Sequence, residues 1–176
     1  MIYEIEDMIK DYSLDNPVRK HVLMLLAIDV SVPMNAFQIE AALRYFDYLG
    51  QSECLQLISG EVDGNLEALT EYGFIDETDN GYVIDEDGKK ASALFLYLLT
   101  LERRRHLLWA KRQITLMTKN ELCLYLSHII PEALQYSEKI KHITTGRKKI
   151  INSMFEKGAI SSLNRDRWMK EVSEVA

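Results

Sequence analysis

A short β-hairpin in the middle of an otherwise helical chain is the feature that most constrains the fold. Phe74-Ile75 and Tyr82-Val83-Ile84 are runs of aromatic and β-branched residues, which favour strands. Asp79-Asn80-Gly81 lies between them, and an Asn-Gly pair supplies the positive φ angles that a tight turn needs. The sequence therefore predicts two strands, at 74–75 and 82–84, joined by a tight turn.

The residues before the hairpin show helical periodicity and helix start signals. Asn16 can cap a helix, and Pro17 after it is tolerated in the first turn. Asn35 and Gln38 have the spacing of a capping box, in which each side chain bonds the other residue's backbone N–H. Together with the apolar spacing, these signals predict helices over residues 2–12, 17–30, 35–49, 52–58 and 61–72.

The residues after the hairpin predict helices only. One long helix is predicted from about Lys89 to Met117, roughly 40 Å at the usual rise per residue. It contains the most apolar run of the chain, residues 93–101, which predicts a buried helix. Further helices are predicted from 118 onward and over 147–157 and 164–174. The predicted domains are 1–90, which contains the hairpin, and 91–176, which is helical.

From residue 17 onward the order is a helix at 17–30, a helix at 35–49, a helix at 61–72, a two-stranded hairpin and a further helix, with a loop or extra helix inserted before the third. It resembles the winged-helix transcription regulators of the MarR and PadR groups. The resemblance is carried by Leu66-x-x-Leu69-x-x-x-Gly73-Phe74-Ile75, then Gly81-Tyr82-Val83-Ile84 and Asp87-Gly88-Lys89, within about residues 17–110. It implies a mainly α fold: a winged helix-turn-helix with a small β-hairpin, followed by a helical carboxy-terminal region. It also implies a homodimer formed through the long helix from Lys89.

The charge of the same segment departs from that family. Between Tyr45 and Gly88 there are twelve Asp or Glu residues and no Lys, Arg or His. DNA affinity rests largely on cations that meet phosphates. Because contact distances are shorter than the screening length of about 8 Å, salt does not remove the repulsion. The sequence therefore predicts a face that binds a basic protein surface through Glu61, Asp63, Glu67, Glu71, Asp76, Glu77 and Asp79, with a merely solvated face as the alternative.

The second half of the chain is basic, with 17 Lys or Arg residues and eight acids over 89–176. Its densest patch is Arg103-Arg104-Arg105-His106, with Trp109 close by. One interpretation is a DNA-binding surface whose phosphate contacts come from Arg104, Arg105, Lys111, Arg112, Arg147, Lys148 and Lys149. The other is a set of salt bridges, within the chain or across a dimer, between the basic and acidic halves.

Patterns for catalysis and for metal or cofactor binding are weak or missing in the sequence. Cys123, His128 and Glu132 are close together, but one Cys and one His without a second pair is a poor metal pattern. The sequence has no GxSxG motif, P-loop or Gly-rich dinucleotide loop. We therefore expect a protein that is not an enzyme and that needs no metal or cofactor.

Other features bear on where the protein resides. Two isolated cysteines suggest buried thiols in a reducing compartment. The acidic amino terminus lacks a signal-peptide pattern. The longest apolar run has nine residues, whereas crossing a membrane takes about 20. These observations predict a cytoplasmic protein without a membrane span.

The sequence favours one function and leaves one alternative. The favoured function is a non-enzymatic winged-helix regulator or adaptor that makes protein–protein contacts through its acidic face, in a DNA-related process. The alternative is a DNA-binding transcription regulator that uses its basic carboxy-terminal helices for phosphate contacts. The two differ in whether the acidic surface beside the hairpin is left open or is covered by cations.

Overall fold

The computed structural model describes residues 2–50, 61–122, 124 and 147–175. This part of the chain is mainly helical and contains one two-stranded antiparallel sheet, which confirms the predicted mainly α class with a small hairpin. The chain forms two compact units, Met1–Lys111 and Arg112–Ala176. The division after residue 90 stays a prediction. The predicted helix at 52–58 and the weak metal pattern at 123, 128 and 132 lie outside the described residues.

Within the described residues four helices precede the hairpin, and the start signals predicted for two of them are present. They are α1 (Ile2–Asp11), α2 (Pro17–Ala27), α3 (Ala36–Gly50) and α4 (Glu61–Glu71). The Asn16 side chain caps α2, because its Oδ1 accepts from the backbone N–H groups of Val18 at 3.0 Å and Arg19 at 3.3 Å. The capping box of α3 is also confirmed, with Gln38 N donating to Asn35 Oδ1 at 2.8 Å and Asn35 N to Gln38 Oε1 at 3.0 Å.

The hairpin consists of β1 (Ile75–Thr78) and β2 (Gly81–Ile84), with Thr78 opposite Gly81. Its turn is Asp79-Asn80, closed by Thr78 Oγ1, which donates to the Gly81 carbonyl at 2.7 Å. The predicted positive φ is found at Gly81, where it is +123°, whereas Asn80 keeps a negative φ. The turn therefore begins one residue earlier than an Asn-Gly centre would place it.

The hairpin is fastened to the segment before α3. Met34 N donates to Tyr82 O at 3.2 Å, and Tyr82 N donates to Met34 O at 2.7 Å. This pair forms an isolated antiparallel bridge on the free edge of β2. Two backbone bonds to a neighbouring segment restrain a hairpin that on its own would be marginally stable.

The core of the first unit is built around α2. This helix packs against α3, α4, β2 and the helix after the hairpin, α5 (Glu86–Leu98). Its residues from Val22 to Leu26 are all buried. Helix α4 adds three buried side chains at helical spacing, Val62, Leu66 and Leu69. Leu66 and Leu69, which are part of the motif that carries the resemblance, therefore face the core.

The predicted long helix from Lys89 to Met117 is wrong. The chain forms α5 and then a separate helix, α6 (Leu101–Leu116). The break is at Leu99, whose φ of −78° and ψ of 140° are extended, and Thr100 Oγ1 accepts from Arg103 N at 3.2 Å at the start of α6. The predicted burial of residues 93–101 is also wrong. The break at Leu99 divides the apolar run between two helices, so its side chains do not share one buried face. Tyr97, Leu98 and Leu101 are exposed.

The second unit contains α7 (Arg147–Glu156) and α8 (Ser162–Val175), which pack against each other and confirm the predicted helices at 147–157 and 164–174. Trp168 and Ile151 are completely buried. The predicted start at Thr118 is present, with Glu121 N donating to Thr118 Oγ1 at 3.3 Å. Buried Glu121 also forms a salt bridge with Lys157 at 2.8 Å. Across the described ranges, no helix is long and apolar enough to cross a membrane.

Candidate functional site

An open groove of about 640 Å³ lies between α4 and the hairpin in the first unit. Helix α4 forms one wall and the hairpin forms the other. The lining residues are Asp63, Glu67, Thr70 and Glu71 from α4, and Glu77 and Tyr82 from the hairpin. We call this set the acidic groove.

The periodicity of α4 explains why three carboxylates share one wall. Asp63, Glu67 and Glu71 recur every four residues, so they form one row along the helix. The buried residues Leu66 and Leu69 occupy the opposite side and hold the helix on the core. Burial of the leucines therefore turns the acidic row outward.

The pairing register of the hairpin determines which of its side chains line the groove. Glu77 lies directly opposite Tyr82, so the two side chains share a face of the sheet. Asp76 is the next residue along the strand, and successive side chains point to opposite faces. The bond pair between Met34 and Tyr82 fixes the strand at this point. Glu77 and Tyr82 therefore face α4, whereas Asp76 does not line the groove.

The acidic groove has no cation of its own. None of its lining residues is Lys or Arg, and its four carboxylates form no salt bridge with any residue that the structure describes. Asp63 and Glu67 are a like-charge pair four residues apart on a helix, as are Glu67 and Glu71. Such a pair destabilises a helix by about 0.2–0.5 kcal/mol. The fold thus keeps these charges together although they do not stabilise it.

The pKa of Tyr82 is sensitive to burial and to the negative charges of the groove. Burial raises the pKa of the Tyr82 phenol above the ordinary value of 10.0, and the carboxylates of Glu77, Asp63 and Glu67 raise the pKa further. The phenol is therefore protonated at neutral pH. The groove offers carboxylate acceptors beside a hydroxyl that can donate or accept a hydrogen bond.

The uncharged polar side chains of α4 have partners within the protein. Asn65 Oδ1 accepts from Arg19 Nε at 2.8 Å, and Asn65 Nδ2 donates to Glu61 O at 2.8 Å. Thr70 Oγ1 donates to Leu66 O at 2.7 Å. These are the neutral side chains with which the helix would read base edges, and each already has a bond inside the unit.

The structure separates the seven acids that the sequence grouped together. Four of them line the acidic groove. Glu61 is half-buried at the start of α4, and Asp76 and Asp79 are exposed on other parts of the hairpin. The sequence analysis missed Tyr82 as a groove residue. The predicted hairpin did not indicate this, because a turn at Asn80-Gly81 would set Tyr82 opposite Asp79, whereas the observed turn at Asp79-Asn80 sets it opposite Glu77.

The basic residues predicted to contact phosphates do not form one free surface. Lys111 is only 1 % exposed, and its Nζ donates to Leu25 O at 2.9 Å, Leu26 O at 3.3 Å and Asp29 O at 2.6 Å. Burial lowers the Lys111 pKa to about 8, against an opposing effect of the Asp29 carboxylate. Lys111 therefore holds the carboxyl end of α2 and is not available to a phosphate, which corrects its predicted role.

The other predicted phosphate contacts differ in how far they are exposed. Arg104 is half-buried and its Nε donates to Leu99 O at 3.2 Å, whereas Arg105 is exposed in the same unit. Arg112, Lys148 and Lys149 are exposed in the second unit. The Arg147 side chain lies outside the described part of the structure.

Arg103, the first residue of the basic run, has a structural role. Its guanidinium lies 3.7 Å from the centre of the Phe46 ring, and its Nη1 donates to Phe46 O at 3.3 Å. Gly50 makes room for it, because a Cβ at that position would overlap the guanidinium. Stacking on an aromatic face is a preferred environment for arginine. The arginine run is thus partly used to join α6 to α3.

Comparison with known proteins adds no relative to this description. A scan against protein-family models, a search of curated proteins and a search of solved structures each gave no match to the chain. Over the described ranges, no three His, Cys, Asp or Glu side chains converge to hold a metal ion. The chemistry of the acidic groove is that of an open, cation-free surface of carboxylates.

Proposed function

We propose that the first unit is a winged-helix domain and that the protein is a non-enzymatic regulator or adaptor. It binds a basic protein surface through the acidic groove, in a DNA-related process in the cytoplasm. The order of α2, α3, α4, hairpin and α5 supports the winged-helix assignment. The observation that carries the proposed function is the groove between α4 and the hairpin, lined by four carboxylates and by no cation.

Electrostatics argue against DNA in this groove. A protein gains DNA affinity by replacing the cations condensed on the phosphates with its own Lys and Arg side chains. The groove has none to offer. Its carboxylates would meet phosphates at distances shorter than the screening length of about 8 Å, so the repulsion persists at physiological salt.

A cationic protein surface fits the same groove. Opposite charges across an interface raise the encounter rate and select the partner. Tyr72 follows α4 directly, is exposed, and its ring lies 5.1 Å from that of exposed Tyr12. Tyrosine is over-represented among the residues that carry binding energy. This aromatic pair lies beside Arg19, whose guanidinium is 5.8 Å from the centre of the Tyr72 ring, and does not line the groove.

Two double charge reversals test the proposed function. Glu67→Lys with Glu77→Lys changes two groove residues. Asp76→Lys with Asp79→Lys makes the same charge change on the same domain outside the groove. We expect the groove variant to lose proteins that the wild type captures from its native extract, with at least a tenfold lower recovery, and the control variant to retain them. Quantitative mass spectrometry of the captured proteins provides the measurement.

The comparison separates a specific groove from a general acidic surface. Circular dichroism checks that both variants keep their helical content. An equal loss of captured proteins in the two variants would mean that binding depends on the net charge of the domain and not on the groove. Retention of every captured protein by the groove variant would contradict the proposed function.

Exposed basic residues favour the DNA-binding alternative. Arg105 is exposed in the first unit, and Arg112, Lys148 and Lys149 are exposed in the second. These four side chains are free to approach phosphates, whereas Lys111 is not. This function requires duplex binding that falls steeply with salt. Absence of any duplex binding at low salt rules it out.

The resemblance to PadR-like regulators also implies a homodimer. The predicted dimer helix is divided into α5 and α6, so a single long helix cannot provide the contact. The exposed apolar side chains Tyr97 and Leu98 at the end of α5 offer one surface for self-association in the first unit.

A further inference from the structure

A second unpartnered surface of the first unit lies where α5 ends and α6 begins. Tyr97 is 78 % exposed, Leu98 69 %, Leu101 60 % and Trp109 51 %. Arg105 is exposed and lies four residues from both Leu101 and Trp109, so the three share one face of α6. We call Tyr97, Leu98, Leu101, Arg105 and Trp109 the apolar-basic patch.

The patch has the composition of a protein interface. Trp, Tyr and Arg are the residue types that most often dominate binding energy. The Trp109 indole is already held in place, because its Nε1 donates to the hydroxyl of buried Tyr45 at 3.1 Å. A side chain that is ordered before binding loses little conformational freedom when it binds. Trp109 is therefore a preformed anchor.

The exposed area is comparable to the largest apolar patch of a typical monomer. Four large apolar side chains with these exposed fractions present on the order of 500 Å². Monomers rarely leave larger apolar patches open, and those that they do leave are often functional. Matched by an equal area on a partner, the patch reaches the roughly 1,000 Å² of a weak but specific complex.

The charge of the apolar-basic patch indicates which kind of partner surface binds it. Arg105 forms no salt bridge with any described residue. The neighbouring acid on α6, Glu102, faces His106 at 4.0 Å. If the patch met its own copy symmetrically, two Arg105 side chains would come close together, and like charges oppose association. An acidic surface is the partner of complementary charge.

The same chain carries such a surface. The acidic groove presents four carboxylates that form no salt bridge with any described residue, beside the Tyr82 side chain. We propose that the apolar-basic patch of one copy docks on the acidic groove of a second copy. This inference rests on the proposed function of the groove as a protein-binding surface, and it names the basic surface that the groove binds.

The contact is head-to-tail, because it joins two different surfaces. Each copy then keeps a free groove at one end and a free patch at the other. Such heterologous contacts give rings when the rotation closes and open chains when it does not. The association is expected to weaken with salt, since Arg105 meets carboxylates.

Mixing two charge reversals provides the test. In sedimentation velocity of the full chain, the wild type is expected to self-associate, more weakly at high salt. Glu67→Lys and Arg105→Glu are each expected to raise the self-association Kd about tenfold or more. Their equimolar mixture should associate again, because the intact patch of the groove variant meets the intact groove of the patch variant. The double variant should self-associate again.

The controls keep the two proposals distinct. Lys10→Glu reverses an exposed cation on α1 and should leave self-association unchanged. Self-association that survives both reversals, or a mixture that remains monomeric, would overturn head-to-tail docking. If the wild type is monomeric while the groove reversal still abolishes capture of other proteins, self-docking is wrong and the proposed function stands. If the groove reversal abolishes self-association alone, the proposed function is limited to self-recognition.

Discussion

Replacing Gly81 by alanine is expected to lower the free energy of unfolding by about 3 kcal/mol or more. A Cβ at Gly81 would lie 2.5 Å from the Met34 carbonyl carbon, 2.6 Å from its oxygen and 2.8 Å from Asn35 N. All three are backbone atoms, so no side-chain rotation relieves the overlap. The φ of +123° adds strain for any residue with a Cβ. The variant must therefore give up the bridge between Met34 and Tyr82.

Gly73→Ala is the matched control for this effect. Gly73 also has a positive φ, +80°, but a Cβ there meets no atom within 4 Å. Gly73→Ala is therefore expected to lower the free energy of unfolding by about 1–2 kcal/mol, from backbone strain alone. Urea denaturation followed by circular dichroism compares the two variants. Equal destabilisation would show that the close approach of Gly81 to Met34 does not hold the hairpin.

The same substitution links the fold to the site. Tyr82 and Glu77 stand opposite each other on the hairpin, and the Met34 bridge positions Tyr82. If Gly81→Ala releases the bridge, the hairpin wall of the acidic groove moves away from α4. We therefore expect this variant to lose partner capture as well as stability, whereas Gly73→Ala keeps the capture.

The second large effect is expected at Lys111. Lys111→Met keeps the length of the side chain but removes the donor shared by Leu25 O, Leu26 O and Asp29 O. Carbonyls left buried without a donor cost about 1–3 kcal/mol each, partly offset because a cation is no longer buried. We expect a net loss of about 2–4 kcal/mol at pH 7 in urea denaturation. Arg112→Met, at an exposed neighbouring position, should change stability by no more than about 0.5 kcal/mol.

The pH dependence of Lys111→Met has a defined sign. The Lys111 pKa falls from 10.5 in the unfolded chain to about 8 in the native protein. Between these values the unfolded state binds the extra proton, so the free energy of unfolding of the wild type rises with pH. The difference in free energy of unfolding between the wild type and Lys111→Met should therefore increase from about pH 8 upward, by at most about 1.4 kcal/mol per pH unit. A gap that narrows would mean that the native site favours the ammonium.

Local signals in the sequence were reliable because their physics is local. The cap at Asn16 and the capping box of Asn35 and Gln38 involve only residues within one helical turn, and both are present. The hairpin was also predictable, because turn residues separate two short strand-forming runs. These features set the order of α2, α3, α4 and the hairpin, and with it the position of the acidic row.

Long-range features were not predictable. The break at Leu99 interrupts a continuous helical pattern, so periodicity alone predicted one helix and a buried apolar run. Lys111 matched an exposed basic face, but its Nζ bonds to carbonyls more than 80 positions away in the chain, at Leu25, Leu26 and Asp29. The division of the seven acids depended on the hairpin register, which decides that Glu77 and not Asp76 enters the groove.

The carboxylates between α4 and the hairpin face solvent without a cation from the described part of the chain. The most direct measurement is the titration of Tyr82, followed by the carbon-13 resonance of its Cζ and assigned with Tyr82→Phe. We expect a Tyr82 pKa above 10.0, lowered by Glu77→Gln and unchanged by Glu86→Gln, which alters an exposed acid outside the groove. A Tyr82 pKa at or below 10.0 that does not respond to Glu77→Gln would mean that cations cover the groove, and would contradict the account.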